Sequence, residues 1–314
     1  MEQFINDFGV IIYATLLFTP PLLFAALGSC FSEVSGVVNI GIEGMMVAGA
    51  FGGNVVAYLT GNPWLGFVCG GLFGAAFAAL HALATVKLGA DQTISGTAIN
   101  MLAPGVAIMM ARTLFNSTDS IPLESTAKIP LLFNGTFDTS TVFGTFLKNV
   151  FTNYATTYLV FIAVIVVWFV FYKTRFGLRM RACGEHPEAC ETLGINVLRT
   201  RFLCVCISGF LSGLGGACVT MAITNQFRPI SIVGQGFIAI AAVIFGKFKP
   251  QGAMLGCLLF GLCTGLKVVL GSSNVISSHL ISMIPYVVTI IVLILFVGKS
   301  HVPAANGKPY IKSK

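Results

Sequence analysis

The sequence predicts an all-α, polytopic membrane protein of about nine transmembrane helices. Three observations carry that expectation. Hydrophobic residues make up 56% of the 314 residues and charged residues only 9%. The mean hydropathy is +0.89. The apolar residues fall in runs of roughly 20, the length an α-helix needs to cross hydrocarbon. No soluble core buries that share of apolar surface.

The runs lie at 8–28, 35–60, 64–86, 94–113, 155–172, 202–223, 231–247, 252–270 and 281–298. The first follows Glu2 and Asp7 rather than a basic segment and lacks a small-residue cleavage site, so it reads as a retained span. The second is interrupted by glycines and Glu43, and the seventh is short and glycine-flanked. One or both are expected to be broken or re-entrant. Residues 1–300 therefore form a single transmembrane domain, followed by a short basic tail at 301–314.

Basic residues orient the chain. With the amino terminus outside and the spans alternating, the inner side gathers most of the 18 Lys and Arg residues, including those of 173–201 and the carboxy-terminal tail. The net charge of +7 thus marks membrane orientation rather than nucleic-acid binding, because the cations sit at the ends of apolar runs. The nine cysteines fall mostly in or beside apolar segments, where they pack as small residues, and no disulfide framework is expected.

The interval 173–201, KTRFGLRMRACGEHPEACETLGINVLRTR, is the one long, densely charged stretch. Within it Pro187 suits a first helical turn and Gly194 a C-terminal cap, so a short surface helix is expected between two spans, with His186 helping to cap it. Such a helix suits a cytosolic motor.

Glu43 is the sharpest intramembrane residue, since a carboxylate in an apolar run must be protonated, partnered or facing water. Asn39, four residues earlier, would share its helical face and with it line a cavity. The competing reading has Glu43 bonding a neighbouring helix's backbone or capping a helix after the glycine break. Thr93, Thr97, Asn100 and Pro104 form a stripe on the fourth run, read either as a pore face or as interhelical glue. Asn225 to Arg228, with Gln235 and Phe237, offer amides and aromatic rings that would suit a nucleoside better than an ion, or else an ordinary wet turn. Glycines at helix-packing distance, among them Gly66, Gly70 and Gly74 and Gly209, Gly213 and Gly216, predict close helix approach. His81 has no second histidine at ligand spacing and reads as a satisfied interior residue rather than a metal ligand. Gly298-Lys299-Ser300 ends like a phosphate-binding loop, but Leu293 stands where its first glycine belongs. No catalytic residue, metal site or cofactor is expected in this chain.

Four blocks in order, VVNIGIEGMMVAGAF from Val37, DQTISGTAINMLAPG from Asp91, GEHPEACETLGIN from Gly184 and GQGFIAIAAVIFGKFKPQGAMLG from Gly234, resemble permease subunits of bacterial ABC importers. The likeness is to the family shared by ribose-type sugar, branched-chain amino acid and nucleoside permeases, and within it to the basic-membrane-lipoprotein-dependent nucleoside importers. The resemblance implies that Gly184 to Gly194 is the coupling helix that docks on a cytosolic ABC ATPase, through Glu185, His186, Pro187, Ala189, Cys190, Leu193 and Gly194. Cys190 stands where alanine is more usual. It further implies a second permease subunit, an extracytoplasmic substrate-binding lipoprotein, ATP and magnesium in the partner ATPase, and a multi-pass location in the bacterial inner membrane. The expected substrate pathway comprises Asn39, Glu43, Thr97, Asn100, Gln235 and Phe237. The alternatives are a simple-sugar or branched-chain amino acid ABC permease, or an ion-coupled carrier or channel centred on Glu43.

Overall fold

The computed structural model describes residues 2–116, 120–123, 127–137, 141–271 and 302–311, with scattered positions between 283 and 294. The ninth expected span at 281–298 and the Gly298-Lys299-Ser300 segment lie almost wholly outside the described residues.

Eleven α-helices are described: α1 (Glu2–Val34), α2 (Ile42–Thr60), α3 (Pro63–Ala82), α4 (Gln92–Phe115), α5 (Val142–Phe151), α6 (Ala155–Lys173), α7 (Arg175–Glu185), α8 (Pro187–Thr192), α9 (Val197–Cys218), α10 (Gln235–Phe245) and α11 (Pro250–Gly271). The ends of α3 and α9 widen into π-helical turns, Leu83–Lys87 and Val219–Ile223. A two-residue antiparallel pair, β1 (Ile121–Pro122) and β2 (Gln226–Phe227), ties the connection after α4 to the segment after α9.

Six helices among the described residues are long and apolar enough to cross a membrane, and they coincide with the first six expected runs. The 22 residues of α11 cover the eighth. The seventh differs: α10 has 11 residues, which at 1.5 Å per residue reach about 16 Å, half of the roughly 30 Å hydrocarbon core. The second run is not interrupted at Glu43 or its glycines: α2 is continuous over Ile42–Thr60, and only the start of the run is non-helical. The chain leaves helix at Val34 and re-enters it only at Ile42, with Gly36 in the left-handed region at φ 92°. The connection between α4 and α6 contains the amphipathic α5, which the sequence reading left unassigned. Thr141 caps it by accepting the Gly144 N–H at 3.1 Å, and Phe146 stacks on Phe8 of α1.

In lipid, apolar surface alone gives helices no reason to associate, so close backbone approach and interhelical hydrogen bonds hold the bundle together. α2, α3 and α9 meet along a glycine seam. A Cβ on Gly70 would lie 2.8 Å from the Gly49 carbonyl oxygen, and one on Gly216 would overlap the Met46 carbonyl. α1 runs beside this trio with Leu23, Ala25, Ala26 and Leu27 fully buried. α11 reaches α1 through Gly261 and Gly265, which pack on Thr19 and Ala14. The expected role of these glycines in packing is what the structure contains.

Candidate functional site

Three polar residues expected along a substrate pathway lie where helices begin or break. Asn39 lies in the irregular segment before α2, so it does not share a helical face with Glu43. It is fully buried, and its Nδ2 donates to Ser208 Oγ of α9 at 3.1 Å. Asn100 of α4 reaches the start of α2: Oδ1 accepts the Gly44 N–H at 2.7 Å and Nδ2 donates to the Ile40 carbonyl at 2.9 Å. This matters because α2 begins at Gly41 with no capping side chain of its own. An exposed helix start leaves four amides unsatisfied, and Asn100 supplies one partner from another helix.

Glu43 repeats the device one helix on. Its carboxylate faces the N–H groups of Gly234, Gly236 and Phe237, where α10 opens without a side-chain cap of its own. Its Oε2 is buried without a partner of hydrogen-bonding geometry. The backbones also touch, since a Cβ on Gly236 would lie 2.6 Å from N, Cα and Cβ of Glu43. α4 therefore caps α2 through Asn100, and Glu43 of α2 lies against the start of α10. The expected cavity-lining pair of Asn39 and Glu43 does not form, because the break at 35–41 separates them.

The other expected pathway residues scatter. Thr97 is exposed and bonds back to the Thr93 carbonyl at 2.6 Å. Phe237 is half exposed. Gln235 lines a cavity of about 250 Å³ between α1, the π-turn after α9, α10 and α11, beside Pro21, Thr224, Ser231 and Thr264. Its Nε2 donates to the Ser231 carbonyl at 3.3 Å. His81 is buried, with Nδ1 2.9 Å from Ser95 Oγ and Nε2 3.4 Å from the Val38 carbonyl, the satisfied interior role expected of it.

The charged interval forms α7 and α8 as a compact pair. Pro187 starts α8, whose C-terminal end turns at Gly194 with φ 76°. The Ile195 N–H donates to the Cys190 carbonyl at 3.0 Å and the Gly194 N–H to Glu191 at 2.9 Å, closing the helix end. The side chain of His186 makes no capping bond, contrary to expectation; its position before Pro187 leaves the imidazole exposed. Glu185, Ala189 and Gly194 are exposed, Pro187 is half-buried, and Leu193 is 79% exposed. Cys190 departs from the expected outward set. It points inward against Cys183 and Val197, because α8 is so short that one face must pack on α7 and α9. Burial pushes the Cys183 thiol up to about 12, with the neighbouring Cys190 adding to it.

The part of this site that sequence reasoning missed is the tail. Residues 302–311 fold back over α7, α8 and the ends of α1 and α9. The Ala305 N–H donates to the Gly184 carbonyl at 2.9 Å, and Asn306 Nδ2 to Glu33 Oε2 at 2.6 Å. Tyr310 donates its hydroxyl to Glu191 of α8. Arg201, 2% exposed, donates through Nη1 to the Lys308 carbonyl and through Nη2 to Cys183. Glu33 and Arg201, charged residues at the edges of apolar runs, were the available signal.

Six apolar helices of membrane length among the described residues, a half-length helix beside them, and a capped surface helix pair between two spans describe a polytopic membrane protein. The chain matches the family model for the permease component of the branched-chain amino acid transport system over residues 11–295, and it belongs to that family. It is 43% identical to the nucleoside ABC transporter permease protein NupC of Lactococcus lactis over 99% of both chains. It is 41% identical to the guanosine ABC transporter permease protein NupQ of Bacillus subtilis over 98% of both. A second L. lactis nucleoside ABC transporter permease protein, NupB, is 24% identical over 93% of this chain and 82% of its own length. The chain is thus a multi-pass ABC transporter permease.

Proposed function

We propose that this permease is one membrane half of an ATP-driven nucleoside importer in the bacterial inner membrane, and that α8 is where a separate ABC ATPase docks. The observation that supports docking is Leu193, an apolar side chain 79% exposed on a rigidly capped helix tied to the bundle by the tail. In an interface, one such anchor seated in a pocket can carry much of the binding energy. The nucleoside assignment rests on NupC and NupQ, each similar over nearly the whole chain.

The α7–α8 end is cytoplasmic in this reading, since Lys173, Arg175, Arg179, Arg181 and Arg199 cluster there. The presence of both NupB and NupC in one organism supports a second, paralogous permease as the other half. An extracytoplasmic lipoprotein would deliver the substrate. ATP and magnesium act in the ATPase, whose closure on α8 would move α7 and, through Arg201, the end of α9. Exchange of helix positions around the pathway then alternates access from outside to inside.

The test is uptake of radiolabelled nucleoside by cells carrying the full transporter, with excess ribose or a branched-chain amino acid as competitors. ATP-dependent uptake that only nucleosides compete supports the proposal. Competition by the sugar or the amino acid, or uptake that collapses with a protonophore while ATP is maintained, overturns it.

A further inference from the structure

A groove of about 490 Å³ opens beside the α7–α8 end of the bundle, lined by Lys87, Asn196, Leu198, Arg199, Phe202 and Leu203. Its position fixes its depth. Lys87 is the last residue of one membrane span, Pro63–Lys87, and Arg199 the third residue of another, Val197–Ile223. The groove therefore lies at a membrane–water boundary, with its polar residues at the span ends and its apolar ones running toward the hydrocarbon.

Its chemistry has two parts. Lys87 and Arg199 are exposed, and among the described residues neither forms an ion pair. The Lys87 ammonium rests 5.9 Å from the centre of the Phe202 ring, which leaves its donors free. The start of α9 adds the positive end of a 22-residue helix dipole at the same place. Below these cations Leu203 is 53% exposed, and it lines the groove together with Leu198 and Phe202. Two unpaired cations above an apolar strip are complementary to a molecule carrying an anionic phosphate directly above an acyl chain. A soluble phosphate would use only the upper half of the groove, and an acidic protein surface would leave the leucines uncovered.

We propose that this groove binds one anionic phospholipid, its phosphate held by Lys87 and Arg199 and an acyl chain lying along Phe202 and Leu203. The lipid bridges the end of α3 and the start of α9, and α9 follows directly on α8. It thereby braces the helix that receives the movement of the coupling element. The site requires only that this end meet a membrane surface, and it stands whether or not the transported solute is a nucleoside.

The test is native mass spectrometry of the delipidated, detergent-solubilised full chain titrated with phosphatidylglycerol or with phosphatidylcholine of the same acyl chains. The expected result is one phosphatidylglycerol adduct in clear preference to phosphatidylcholine, weakened about tenfold in the double variant K87Q/R199Q. The variant K247Q/K249Q, which removes a basic pair outside the groove, keeps the adduct. Both variants alter exposed side chains, and their thermal unfolding without lipid verifies that they fold. Equal binding of the two lipids, an adduct unchanged in K87Q/R199Q, or glycerol phosphate binding as tightly as the lipid overturns the proposal. So does a K87Q/R199Q chain that loses its ATPase but keeps the adduct. Nucleoside uptake is read separately in proteoliposomes, so failure of the transport reading leaves this result interpretable.

Discussion

Arg201 of α9 donates to the backbone carbonyl of Lys308 at 3.0 Å, joining a fully buried guanidinium to a segment 107 residues further along the chain. The second donor arm goes to Cys183 of α7, and the Tyr310 ring lies 5.9 Å from the guanidinium carbon. Arg201 Nε is buried without a partner, so the two carbonyls that accept from its Nη atoms are the bonds that offset burial of the charge, and the tail, which supplies one of them, is a structural part of the coupling region rather than a loose end.

Removing residues 302–314 takes the Lys308 carbonyl from Arg201 and Asn306 from Glu33. The loss of a partner from a buried charged group costs about 2–3 kcal/mol. The truncated chain is expected to unfold at lower temperature in detergent. Cys183, shielded in the intact chain and held as a thiol by a pKa near 12, is expected to become reactive toward a water-soluble maleimide at pH 8 only after truncation. Unchanged melting and labelling would mean that the tail contributes nothing.

Asn100→Ala leaves the Gly44 N–H and the Ile40 carbonyl without partners at the start of α2. The expected destabilisation is about 1–3 kcal/mol, read by thermal unfolding. If stability is unchanged and only the half-saturating nucleoside concentration rises, Asn100 is a substrate contact instead.

At the next joint, Gly236→Ala drives a Cβ into the backbone of Glu43, and overpacking of this kind costs about 1–3 kcal/mol. Glu43→Gln keeps an acceptor for the α10 amides and is expected to retain most of the uptake, whereas Glu43→Ala loses it. Abolition of transport by the glutamine variant, in a protein that still folds, would restore Glu43 as a proton or ion site.

Gly194→Ala meets open space on all sides, so its only cost is the left-handed backbone at φ 76°, about 1 kcal/mol. Gly194→Asn is expected to cost less, because asparagine tolerates that region. Leu193→Asp should leave folding intact yet lower ATP-driven uptake about tenfold by removing the docking anchor. An ATPase that co-purifies equally well with L193D would show that docking lies elsewhere.

The identity of the spans was legible because apolar runs of membrane length have few alternative structures. Pro187 and Gly194 marked α8 because their backbone preferences are local. The same locality explains the failures. Asn39 and Glu43 were placed on one face by counting along a helix, and a break at 35–41 removed the helix. Cys190 was included in the docking set by resemblance, but the face it occupies depends on where α7 and α9 lie. The amphipathic α5 was hidden in a connection whose pattern is too short to stand out.

Sequence alone determined that this chain crosses the membrane many times, which end carries the basic residues, and where the short surface helix begins and ends. Each follows from interactions between a residue and its solvent or its immediate neighbours. Only the tertiary structure decided that Asn100 caps a helix other than its own, that Glu43 meets the start of α10, that α10 has only 11 residues, and that the tail closes over Arg201. Those outcomes depend on partners far apart in sequence, 56 residues for Asn100 and Gly44 and 107 for Arg201 and Lys308, whose meeting is set by how closely glycine-faced helices pack.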